Sequence, residues 1–146
     1  MPTTSLHELI PALQAAIGPV ILISGVGLIL LTLTNRFGRA VDRSRQLARE
    51  LREQPEPTGQ RLAAQVAILY RRARLLRRSI ILAAVSVLLA ALLIILLFVF
   101  ALFQVESGWV IGFIFIACML CLIAALLAFI RDIHLSIEAL DLELNR

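Results

Sequence analysis

Residues 79–105 read SIILAAVSVLLAALLIILLFVFALFQV, 27 positions without a charged side chain. A helix of about 20 apolar residues crosses the roughly 30 Å of hydrocarbon in a bilayer. Inside hydrocarbon no water can satisfy backbone N–H and C=O groups, and an α-helix satisfies them within the segment. The stretch therefore predicts a transmembrane helix. Two further windows free of charge, 9–35 with 27 residues and 107–130 with 24, have the same character. The expected organisation is all-α, a single membrane domain over 1–146. Spans fall at about 9–35, 79–103 and 109–130, with a helical hairpin over 36–78, an outer turn at 104–108 and a last helix over 131–144.

Composition agrees with this reading. Hydrophobic residues make up 60% of the 146 and charged residues only 16%, against about 45–50% and about 25% in ordinary soluble domains. A 16.1 kDa chain with a mean hydropathy of +0.93 has too much surface for its volume to hide that much apolar matter in water.

All 14 basic residues are arginine, and 12 of them lie between Arg36 and Arg78. Four acids share that stretch, Asp42, Glu50, Glu53 and Glu56, which leaves a surplus of eight positive charges. The segment lies between the first and second windows. Loops that retain arginine stay in the cytoplasm, which predicts the N-terminus outside and the C-terminus inside. The first window lacks a basic leading region and is longer than the 7–15 apolar residues of a signal peptide, so it is expected to remain in the mature protein. Ser5 and Glu8 have the spacing of a capping box and predict the start of the first helix.

Outside the spans the apolar or small residues keep steps of three and four. They run Phe37, Val41, Ser44, Ala48, Leu51, then Leu62, Val66, Leu69, Ala73, Leu76, Ile80, and finally Ile130, Ile133, Ile137, Leu140, Leu144. This is the rhythm of helices packed along a seam, so each membrane helix is expected to continue beyond the bilayer into a coiled-coil-like stalk. Two prolines and a glycine between Gln54 and Gly59 break the first helix from the second, and Thr58 can cap the second.

Two arms of 19 residues, Asn35 to Glu53 and Gln60 to Arg78, would each be about 28 Å long. Folded about their turn, they bring Asp42 level with Arg71 and Arg39 with Arg74. Asp132 falls near Arg36 and Arg77. A belt of arginine and carboxylate contacts is expected there, each exposed pair worth about 0–1 kcal/mol. Attraction to anionic lipid headgroups, about 1 kcal/mol per charge, is the other use of such arginines, with Arg77 and Arg78 placed for it. Trp109, just after the outer turn, reads as an interfacial anchor.

Leu33-Thr34-Asn35-Arg36 with Arg39 and Asp42-Arg43, then Arg71-Arg72-Ala73-Arg74 opening the second span, and Phe129-Ile130-Arg131-Asp132 closing the third form a recognisable set. From about Leu9 to Ser136 the chain resembles a widespread bacterial family of three-helix membrane proteins, known only as a domain of unknown function. The resemblance implies a bacterial inner-membrane protein and assigns no activity, cofactor or site residue.

Little in the sequence points to catalysis. His7 and His134 are expected on opposite sides of the bilayer. Cys118 and Cys121 stand at i and i+3 within the third span, without a histidine or carboxylate at that depth to complete a metal site. They read as packing residues, and no cofactor or metal is expected. The arginines lie one helical arm from the bilayer, with few aromatics nearby, which speaks against nucleic acid as a partner.

The first span carries a stripe of its own. Gln14, Gly18, Ile21, Gly25, Leu28, Thr32, Asn35 and Arg39 succeed one another by four and three and share one face. Small and hydrogen-bonding residues of this kind suit close helix packing. Gathered around an axis by several copies, the same face would line a narrow path favouring anions through its inner arginines. Pro19 removes the N–H that the Ala15 carbonyl would accept and marks a hinge or a fixed bend. No charge lies within a span, which argues against proton-coupled transport. The residues support two readings: a self-assembling, non-enzymatic membrane protein whose basic helices form an interaction or scaffolding surface for a cytoplasmic protein, or a small homo-oligomeric channel built around the first helix.

Overall fold

Three helices make up the chain. The computed structural model describes residues 6–53, 58–104 and 108–144, with side chains over 10–50, 65–104 and 108–134. Helix α1 runs Leu6–Glu53, α2 Thr58–Phe103 and α3 Gly108–Leu144, and no strand occurs among the described residues. At 1.5 Å per residue the 48 residues of α1 extend about 72 Å, more than twice the thickness of the hydrocarbon. Each helix is long and apolar enough to cross a membrane, and each continues unbroken into its charged part. Helix α1 stays helical through Pro11 and Pro19. The residues of the capping box and of the 54–57 turn lie outside the described side chains. Helix α2 ends at Gln104, whose φ of 51° is the left-handed conformation that stops a helix.

The chain forms two compact units, each holding a stretch of all three helices. The first comprises Met1–Leu30 and Leu82–Ile123, the second Leu31–Ile81 and Ala124–Arg146. In the first, the buried residues are mostly small: Ala12, Ala16, Pro19 and Val26 from α1, Ala83, Ser86 and Ala90 from α2, and Cys118 from α3, with Leu93 of α2 the larger exception. Short side chains let helix backbones approach, the means by which helices associate where lipid removes the hydrophobic drive. None of the glycines takes part, since a Cβ at Gly18, Gly25, Gly27 or Gly112 would meet nothing within 4 Å. In the second unit Leu33, Ala40 and Leu47 from α1, Leu76 and Ser79 from α2, and Ala125 and Asp132 from α3 are buried.

The buried positions follow a seven-residue period. On α1 they include Ala12, Pro19, Val26, Leu33, Ala40 and Leu47; on α2 they alternate Leu76, Ser79, Ala83, Ser86, Ala90, Leu93; on α3 they are Cys118, Ala125 and Asp132. The outward apolar residues keep the same beat. On α3 the exposed ridge runs Trp109, Phe113, Ile116, Leu120, Ile123, Leu127, Ile130, about 31 Å from end to end, the thickness of the hydrocarbon it would face.

The seam differs from the expected one in its centre. Ile130, expected to face inward, is 46% exposed, and Asp132 is fully buried. An apolar-only reading steps over polar residues, and here aspartate and serine hold the innermost positions.

Candidate functional site

The Asp132 carboxylate, on α3, is buried with no exposed surface. Arg36 of α1 donates from Nη2 to Oδ2 at 3.2 Å, and Arg72 of α2 donates from Nε to Oδ1 at a longer 3.4 Å. One carboxylate thus joins all three helices, each oxygen held from a different one. The guanidinium of Arg36 also lies 5.3 Å from the centre of the Phe129 ring, within cation–π range, so its own surroundings fix the direction in which it reaches. Both arginines are less than a third exposed. A buried ion costs several kcal/mol in lost hydration unless paired and hydrogen-bonded, and this arrangement meets both conditions.

The register that brings Arg72 to Asp132 is set by serines. Ser79 Oγ donates to the Ala125 carbonyl at 2.6 Å. Seven residues along each helix from that pair, in opposite directions, stand Arg72 and Asp132. In the first unit Ser86 and Cys118 hold the same offset through a reciprocal pair of bonds. Ser86 Oγ donates to the Cys118 carbonyl at 3.1 Å, and Cys118 Sγ donates to the Ser86 carbonyl at 3.2 Å.

This register corrects the expected belt. Asp132 meets Arg36 as drawn, but Arg72 stands where Arg77 was expected, and Arg77 is exposed. The midpoint of the 54–59 turn sets only how α1 faces α2, whereas hydrogen bonds between α2 and α3 fix where Asp132 sits. Asp42, Arg71, Arg39 and Arg74 are all exposed, and among the described residues Asp42 forms no ion pair with Arg71. Arg74 lies instead over the ring of Tyr70, 5.0 Å from its centre. On α1, Arg43 donates to Gln46 Oε1 and Gln46 donates to Glu50 Oε1, both at 3.2 Å.

The stripe on α1 is exposed throughout: Gln14, Gly18, Ile21, Gly25, Leu28, Thr32, Asn35 and Arg39. It lies on a different face from Ala12, Pro19, Val26, Leu33 and Ala40 and is not part of the buried seam. Arg78 and Trp109 are exposed as well. His134 Nδ1 lies 3.0 Å from the Ile130 carbonyl of its own helix. Among the described residues no group of three or more His, Cys, Asp or Glu side chains gathers to hold a metal ion.

Sequence reasoning missed Ser79, Ser86 and Arg72. Their signal was present as a seven-residue spacing of polar residues, matched on α3 by Cys118, Ala125 and Asp132. Comparison with curated proteins and with solved structures returns no match. Residues 16–142, most of the chain, match the family described as "Protein of unknown function (DUF2721)", and the chain belongs to that family.

Proposed function

We propose that this chain is a non-enzymatic structural protein of the bacterial inner membrane that self-assembles, with its N-terminus outside and its C-terminus in the cytoplasm. Its basic helices, packed as a coiled-coil-like stalk, serve as an interaction or scaffolding surface for a cytoplasmic partner. The observation that carries this reading is the use made of the buried polar groups. Ser79, Ser86 and Asp132 all bond from helix to helix. A catalytic site holds polar groups ready in a concave pocket for a substrate; here they join helices, while Arg39, Arg45, Arg49, Arg71, Arg74, Arg77 and Arg78 face outward.

Self-assembly is assigned to the exposed stripe of α1, where small residues allow a second copy to approach. Native mass spectrometry from nanodiscs tests it: a defined oligomer is expected, and a monomer at every protein concentration would overturn the reading. The exposure of that stripe along its length also supports a second reading, an anion-favouring channel around α1 in a ring of three or more copies. Planar-bilayer recording of wild type and Arg39→Glu decides it, since a pore lined by this face passes current that the charge reversal alters; silence from both ends the channel reading.

A further inference from the structure

The geometry points to an anionic-phospholipid site on the outer face of α2, in which Arg74, Arg77 and Arg78 hold a headgroup phosphate drawn down beside Ile81. Helix α2 contains six arginines and no acidic residue. One of the six, Arg72, is turned inward and paired with Asp132, which it shares with Arg36. Arg71, Arg74, Arg77 and Arg78 lie on the opposite face from Leu76 and Ser79 and are all exposed. The arginines of α1 differ, since acids accompany them on their own helix: Asp42 adjoins Arg43, and Glu50 closes the chain through Gln46.

The second observation is height. With Arg72 at Asp132 and Ser79 at Ala125, Arg74 stands level with Ile130 and Arg77 with Leu127. Those α3 residues are 46% and 57% exposed and belong to the outward apolar ridge. Arginines and lipid-facing leucine and isoleucine therefore share one level. A guanidinium at the depth of exposed hydrocarbon side chains is costly unless a phosphate comes to it. An acidic protein partner would approach from water and would leave Ile130 and Leu127 uncovered; a lipid meets both requirements, the phosphate on the arginines and the acyl chain on Ile81. This inference rests on reading the basic helices as an interaction surface, and it is independent of self-assembly.

Full-length protein in nanodiscs of phosphatidylcholine with a fraction of phosphatidylglycerol tests it by native mass spectrometry. The wild type is expected to retain phosphatidylglycerol over phosphatidylcholine. R77Q/R78Q is expected to lower that preference about 30-fold, from roughly 1 kcal/mol per arginine, while R77K/R78K and the control R45Q/R49Q keep it. Equal retention of the two lipids by wild type overturns the site, and that result needs no variant to fold. An equal loss in R45Q/R49Q reduces it to diffuse attraction and overturns it too. Saturable binding of a polyglutamate peptide without lipid discrimination would assign the face to a protein partner. The same spectra report subunit number, so failure of lipid selection and failure of self-assembly are read separately.

Discussion

At the scale of the residue, Asp132 is the side chain whose loss the fold tolerates least. Asp132→Asn keeps the volume and removes the charge, leaving two partly buried guanidiniums facing an amide. Breaking a buried pair from one side costs about 3–5 kcal/mol, so unfolding in mixed micelles, followed by circular dichroism, is expected to show a loss of that size; a loss below about 1 kcal/mol would mean that water already screens the pair. Arg36→Gln and Arg72→Gln share Asp132 as partner, and their effects are expected not to add. Ser79→Ala removes a bond of the kind worth about 0.6–1.7 kcal/mol between membrane helices, and the same measurement reads it.

Residue chemistry also determines how much of the fold is legible in the sequence. Charge neutrality and window length were enough for the three helices, because the cost of an unsatisfied backbone in hydrocarbon leaves little else. Asp132 near Arg36 was legible from a ruler of 1.5 Å per residue. Arg72 was not, because the turn sets only an approximate register and the final one is fixed by Ser79 and Ser86, whose side chains read as incidental breaks in an apolar run.

At the scale of the element, the seven-residue period is the informative property. An ideal helix advances about 20° per seven residues against such a repeat, and within each unit α1 keeps the repeat, Ala12, Pro19 and Val26 in the first and Leu33, Ala40 and Leu47 in the second. The stripe from Gln14 to Arg39 keeps to a different face. Gly25 has no atom within 4 Å of where its Cβ would lie, and Gly25→Leu is expected to leave the unfolding of a single chain within about 0.5 kcal/mol of wild type while reducing the oligomer seen in nanodiscs. A large loss of stability in the monomer would place the glycine face inside the chain after all. The sequence made the stripe visible but not its direction, because polar and small residues mark an inner seam and an outer contact alike.

At the scale of the whole molecule, the orientation is testable by chemistry from two sides. In a background with Cys118 and Cys121 replaced by serine and alanine, Trp109→Cys is expected to react with an impermeant maleimide in intact cells. Arg49→Cys is expected to react only after lysis. Labelling of both from the same side would withdraw the orientation and, with it, the cytoplasmic role of the arginine-bearing helices.

The bond from Ser79 to the Ala125 carbonyl and the grip of Arg72 on Asp132 act together like teeth on a rack. A slide of α3 past α2 by one residue would unseat both at once, and even a slide of a full seven, about 10 Å, would restore the facing surfaces but leave Arg72 opposite an alanine instead of Asp132. Lengthwise pistoning is thereby blocked, so any message carried along this pair of helices must travel as tilt or rotation.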